Sequence, residues 1–213
     1  MSTPLVDAAQ QFYADLGLNN TKQWWEENRA TYDDVLKPDA LALLDRLAQP
    51  VSALIGHPVT TKLFRPYRDV RFSKDKTPYQ THLHMMWQVQ DPDARQSPVY
   101  FFGIGTDYVT AGAGLMGFDK PVLEDWRKFV DLDGPRISGI IDTLTTGGYG
   151  LREPALKRVP APFPADHPLG GLLRMKGIVA SREIGASDDL DAALIATFCE
   201  LTPLNTLLLQ VAG

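Results

Sequence analysis

Between residues 60 and 116 the apolar side chains stop recurring every three or four positions and begin to alternate. In the run Lys62 to Phe72, Phe64, Val70 and Phe72 share one parity, and Arg65, Tyr67, Asp69 and Arg71 share the other. That is the pattern of a strand with one wet face, and Pro66 assigns it to a sheet edge or a bulge. Strand character resumes over Thr81 to Val89, Val99 to Gly105 and Tyr108 to Leu115, with polar turns at Ser73 to Pro78 and Asp91-Pro92-Asp93. Sequential strands joined by short turns predict an antiparallel meander. A doubly wound parallel sheet needs a helix between each pair and does not fit.

Helical spacing brackets this stretch. Leu5, Val6, Ala9, Phe12, Tyr13 and Leu16 make one stripe, stopped by Gly17. After the Asn19-Asn20-Thr21 turn a second helix sets Trp24, Asn28 and Tyr32 on one face. Lys37-Pro38 is expected to break it and to open a third helix through Leu41, Leu44, Leu47, Val51 and Leu54, with a kink at Pro50. Beyond the sheet, helices are expected over Val122 to Val130 and Ile137 to Leu144. A Gly- and Pro-rich loop follows over Thr145 to Pro168, then a last strand over Gly177 to Ile184. A final helix, capped by Ser187 or Asp188, runs through Leu194, Phe198 and Leu201 until Pro203 interrupts it. The expected class is α+β, an antiparallel meander flanked by N-terminal and C-terminal helices. It forms one domain over 1–213, with a helical part at 1–58, the sheet at 60–116, helices and loop at 119–176, and the last strand and helix at 177–210.

The chain is 44% hydrophobic and 22% charged, ordinary for a globular protein with a core. Its net charge of −5 disfavours nucleic acid or an anionic membrane as the partner. A single cysteine, Cys199, excludes an internal disulfide and reads as a small core residue beside Phe198 and Leu201. The first fifteen residues carry acids and glutamines where a secretory signal needs a basic start and an apolar run. No stretch reaches the roughly 18 uninterrupted apolar residues of a spanning helix. The expected location is cytoplasmic, with no membrane partner.

Positive charge is unevenly distributed. From Lys62 to Lys76 there are six bases and two acids, a net of +4, so the remainder carries −9. Guanidinium forks and ammonium groups gathered in this way suit a phosphate or a carboxylate. The same residues also fit an internal ion-pair network, with Asp69 between Arg68 and Arg71 and Asp75 on Lys74 or Lys76.

The run Tyr67-Arg68-Asp69-Val70-Arg71-Phe72-Ser73-Lys74-Asp75-Lys76-Thr77-Pro78-Tyr79-Gln80-Thr81-His82 resembles the signature of a widespread bacterial and fungal family of unknown function. The resemblance covers most of the chain. The Asn19-Asn20 turn with Trp24, Asn28 and Tyr32 resembles that family's opening. Leu156-Lys157-Arg158-Val159-Pro160, then Pro164-Ala165-Asp166-His167-Pro168 and Leu172-Leu173, resemble its late motif. The resemblance implies no activity, and His84 lies beyond its matching part.

Three weaker constellations complete the reading. His82 and His84, two apart, project to one face of a strand. With His167 or Asp166 they would make a zinc set, but the flanking bases oppose a divalent cation, and no metal is expected. Gly112-Ala113-Gly114-Leu115-Met116-Gly117 has dinucleotide-fingerprint spacing but follows antiparallel strands, so the glycines read as close packing in a hairpin. Trp24 and Trp25 beside the basic strand admit nucleic-acid stacking as a minor reading. The expected function is therefore binding of, or action on, a small anionic ligand. Arg65, Arg68, Arg71, Ser73, Lys74 and Lys76 would hold it, with Arg158 and His167 from the late loop. Asp69, Tyr79 and His82 are the candidate acid–base groups. The alternatives are a non-catalytic interaction module whose charged motif is structural, and a nucleic-acid binder or nuclease. The residues name no cofactor, no oligomeric state and no reaction, and they do not separate an enzyme from a binding protein.

Overall fold

A computed structural model describes residues 4–185 and 187–213, so the first three residues of the expected N-terminal helical part lie outside it. The chain is α+β, with six antiparallel strands and helices at both ends. The strands are β1 (Val59–Leu63), β2 (His82–Val89), β3 (Val99–Gly105), β4 (Val109–Leu115), β5 (Gly150–Leu151) and β6 (Ile178–Glu183). Their order across the sheet is β1-β2-β3-β4-β6-β5. The predicted meander accounts for the first four. The last strand then lies against β4, and β5, a two-residue strand inside the predicted long loop, pairs with its outer edge.

Alternation in β2 sends Leu83, Met85, Trp87 and Val89 to one face, where all are buried. Tyr100, Phe102 and Ile104 of β3 and Ala111, Ala113 and Leu115 of β4 join them through the register. Each large side chain of this kind contributes about 1.5–3 kcal/mol through loss of water contact. Helices α1 (Pro4–Leu18), α3 (Lys37–Ile55) and α7 (Leu190–Ala212) cover this face. Two deep polar side chains bond across that interface. Trp87 Nε1–H donates to the Leu44 carbonyl at 3.0 Å, and Asn205 Nδ2 donates to the Val99 carbonyl at 3.2 Å. Helices α4 (Lys120–Leu132) and α5 (Gly134–Thr146) pack on α7, and the short α6 (Gly170–Leu173) packs on α4.

Several local expectations change. The helix α2 (Lys22–Thr31) does not break at Lys37-Pro38. A π turn at Tyr32–Leu36 joins it to α3, with the Lys37 N–H on the Tyr32 carbonyl. Pro38 has no N–H to offer residue 34, and widening the preceding turn accommodates the missing bond without ending the helix. In α3 the buried stripe is Ala40, Leu43, Leu44, Leu47, Val51 and Ile55, whereas Leu41 is 46% exposed. Gly56, at φ 75°, closes α3 in the left-handed conformation. Asp189 caps α7 by accepting from Ala192 N–H at 2.9 Å, in place of Ser187 or Asp188. The helix passes through Pro203, because twelve of its side chains are buried and the lost backbone bond is small against that. Cys199 falls on its exposed side and is not a core residue. By length and apolarity α7 could cross a bilayer. Half of its most apolar window is buried in this fold, where it is the helix laid across the sheet.

The strand expected from Lys62 to Phe72 ends at Leu63, apart from one further bond from Phe64 N–H to the His84 carbonyl at 2.9 Å. Residues 64–81 form an irregular hairpin that continues the β1–β2 pair beyond the sheet.

Candidate ligand-binding site

The hairpin is fixed at its root and exposed at its tip. Tyr67 and Tyr79 form an isolated antiparallel bridge, flanked by Arg68 N–H to the Pro78 carbonyl at 2.9 Å and Gln80 N–H to the Pro66 carbonyl at 2.7 Å. Trp25 stacks on Tyr79 with ring centroids 4.4 Å apart and planes 14° from parallel, and Tyr67 leans on both. Asn20 completes the anchor. Its amide accepts from Tyr79 N–H at 3.1 Å and donates to the Tyr79 carbonyl at 2.9 Å, matching one residue's donor and acceptor together. This clip gives the Asn19-Asn20 turn a definite task. It also makes Trp25, rather than Trp24, the buried partner of the motif. Tyr79 is 3% exposed, so its ring belongs to the anchor.

The bases of the motif have diverged. Arg68 donates to Asp75 at 2.5 Å and to both oxygens of Thr77, and Arg71 grips Asp69 at 2.9 and 2.7 Å. Three hydrogen bonds hold the Asp75 carboxyl down at about 2: the Thr77 N–H first, then Arg68 and the Thr77 hydroxyl. Asp69 is also lowered, chiefly by Arg71. Lys76 Nζ donates to the Val70 carbonyl at 2.9 Å. Ser73 closes a turn on Val70, and Phe72 beside it is 96% exposed. Arg65 and Lys74 have no ion pair among the described residues. Arg65 lines a cleft of about 580 Å³ at the hairpin root with Lys62, Lys37 and Arg29, where Arg29 is itself paired with Asp33 and Glu26.

Arg158 and His167 do not join this group. They share a different cleft of about 510 Å³ with Lys157 and Arg174. His167 anchors its loop there: Nδ1 accepts from Leu169 N–H at 3.0 Å, and Nε2 faces Asp131 at 3.3 Å.

The sheet face away from the helices carries the concave site that sequence reading did not find. His82, His84 and Met86 of β2, Val99 and Phe101 of β3, and Thr110 of β4 point to it and remain partly exposed. A cavity of about 450 Å³ lies there. Its walls include Phe64 from beyond β1, Phe101 from β3, Val179 and Ser181 from β6, and Gly150 and Arg152 at β5. Five strand spacings of a flat sheet would hold the two edges about 24 Å apart. Both edges line one cavity, so the sheet curls around it. Gly114, at φ 134°, lets β4 approach β6 so closely that any side chain there would strike the Ile178 carbonyl.

Three other glycines serve as beds for rings. A Cβ at Gly103 would stand 2.7 Å from the His84 ring, and Cβ atoms at Gly105 and Gly112 would collide with the rings of Tyr108 and Phe101. Each ring reaches across the neighbouring strand and lies where a side chain would otherwise stand. His82 stacks on His84 with centroids 3.8 Å apart, and His84 Nε2 is 2.8 Å from the Tyr108 hydroxyl. Burial lowers both histidines. With His82 adding repulsion, His84 falls to about 4 and is neutral at pH 7. Arg152, at the cavity mouth, is exposed and has no ion pair among the described residues, and the Ser181 hydroxyl donates no hydrogen bond within the described fold. Among the described residues no group of three or more His, Cys, Asp or Glu side chains is placed to hold a metal ion.

The profile of DUF2461, described as a conserved hypothetical protein, matches residues 8–206. The chain belongs to the DUF2461 family. The matched span includes the hairpin, its Asn20 and Trp25 anchor, every strand of the curled sheet and most of α7. No curated protein matches the chain. For DUF2461 the match gives a family but no activity, so function rests on the site.

Proposed function

We propose that this member of DUF2461 binds a small anionic ligand with an apolar body, seated on the open sheet face with its charged group toward Arg152. One observation carries the reading: a cavity of about 450 Å³ walled by Phe64, Phe101, Met86 and Val179 has an unpaired guanidinium at its mouth. Ligand sites are usually concave, mostly apolar and equipped with a few convergent polar groups, in cavities of roughly 300–1,000 Å³. The anionic ligand expected from the sequence is kept, and its position moves. Arg68 and Arg71, expected to grip it, have their forks on Asp75 and Asp69, and the hairpin becomes a rim to which Phe64 contributes. Lys62, with Nζ 4.9 Å from the Phe64 ring centroid, adds positive charge on that side.

Calorimetric titration of the full chain with 4-phenylbutyrate, decanoate and phenyl phosphate tests this. Binding is expected with a rise in melting temperature, since a ligand of the folded state stabilises it. Arg152→Ala should weaken binding about tenfold or more, the scale of a charged hydrogen bond, while Arg65→Ala should leave it unchanged. Wild-type affinity in both Arg152→Ala and the cavity-filling Ser181→Trp would remove the reading. Loss of binding in Arg65→Ala alone would move the ligand to the cleft at the hairpin root.

A further inference from the structure

Resting on that reading, we infer that the ligand is a nucleoside monophosphate: its base lies against Phe101 on the open sheet face and its phosphate meets Arg152. The first support is the shape of the floor. Phe101 reaches over Gly112 and His84 over Gly103, each into space that a β-carbon would take. Phe101 thus presents aromatic surface to the cavity, whereas one face of His84 is already taken by His82 and His84 offers the site its free ring nitrogen. A flat aromatic guest gains most from such a floor, and rings on an open antiparallel sheet are a known way to stack bases.

The second support is the set of polar groups left without partners. An aryl or alkyl carboxylate would satisfy the floor and Arg152 but leave two cavity groups unmatched. These are the Ser181 hydroxyl, on the row Met86–Phe101–Gly112–Ser181, and the second ring nitrogen of His84, whose Nε2 is held by Tyr108. Both can donate or accept, as the edge of a nucleobase requires. A desolvated polar group left unpaired costs more than a matched one contributes, so these groups favour a heteroaromatic guest over a hydrocarbon one. The third support is charge. Arg152 has no carboxylate partner among the described residues, and a guanidinium fork fits phosphate oxygens. One phosphate suits one guanidinium.

The test is calorimetry on the full chain with AMP, GMP, CMP and UMP, alongside adenosine, ribose 5-phosphate, 4-phenylbutyrate and a ten-nucleotide single strand. At least one monophosphate is expected to bind tenfold or more tightly than its nucleoside and than ribose 5-phosphate. Phe101→Leu, which keeps an apolar side chain but removes the stacking face, should weaken nucleotide and nucleoside alike by about tenfold. Arg152→Ala, at an exposed position with no packing role, should bring the nucleotide down to the affinity of the nucleoside. Equal binding of AMP and ribose 5-phosphate would overturn the inference. So would tighter binding of the oligonucleotide, which would make the face a track for a strand. Binding of 4-phenylbutyrate without any nucleotide would leave the anion reading standing and sink this one. Absence of binding by every probe, or a dimer in sedimentation that Phe101→Glu dissociates, would remove both.

Discussion

The hairpin of residues 64–81 and the open face of the sheet meet at β1 and β2 and handle charge in opposite ways. In the hairpin, positive groups are dense and three of the five are answered locally: Arg68 by Asp75, Arg71 by Asp69, Lys76 by a backbone carbonyl. On the open face they are sparse, and Arg152 is unanswered among the described residues. The density of like charge along a sequence therefore says little about how much of it a ligand can use. What decides is whether the fold turns an acid onto the base, as it does for Arg68 and Arg71, or sets the base beside an apolar wall.

The contrast breaks most sharply at the hairpin root. Trp25→Ala should cost about 3–5 kcal/mol by chemical denaturation, because it removes a ring that Tyr79, Tyr67, Tyr32 and Phe12 all touch. Trp25→Phe should recover much of this, since the indole N–H has no partner among the described residues and only the ring is at stake. A small effect of Trp25→Ala would mean that the hairpin does not depend on its anchor.

The open face should show itself in pH. His84 is held at about 4 in the fold against 6.5 when exposed, so the unfolded chain binds the proton more readily between those values. Stability is then fully present above about 6.5 and declines as pH falls toward 4, by roughly 2 kcal/mol after allowance for partial solvent access. Denaturation of His84→Gln across pH 4–7 should give a flatter profile than wild type, and an unchanged slope would place the titration elsewhere.

Asn20→Ala should cost about 1–2 kcal/mol, the price of leaving one backbone donor and one acceptor of Tyr79 unmatched, read as a shift in denaturation midpoint. Smallest of all, Asp69→Ala and Arg71→Ala should leave the melting temperature at the wild-type value. The pair is short but lies in solvent, with side chains 47% and 78% exposed, where ion pairs add little. A large loss in Asp69→Ala would show that the pair holds the hairpin in place.

The order of these effects separates what the sequence reveals from what it conceals. The alternation in β2 and β3 is readable because Leu83, Met85, Trp87, Tyr100 and Phe102 must all enter one core. Beyond Leu63 the same alternation misleads, because Pro66 and the turns around Asp69 and Asp75 bend the chain away from any neighbour to pair with. The cavity leaves almost no trace. Its floor depends on Gly103, Gly105 and Gly112, and each is legible only as a small residue until the strand opposite is known to carry Phe101, His84 or Tyr108. Arg152 stands in a stretch with no periodicity, beside a two-residue strand. Local pattern in α7 does not reveal that Cys199 is exposed or that the helix runs through Pro203, because its placement is set by a dozen buried side chains.

The two outer borders of the sheet have a consequence for how the protein behaves in a crowd. One ends in Gly150–Leu151, too short to template an incoming strand, and the other presents Thr60, Thr61 and Lys62 before turning off into the hairpin. A stray chain seeking hydrogen bonds finds only a brief or charged margin on either side, so growth into fibrils has no ready starting point.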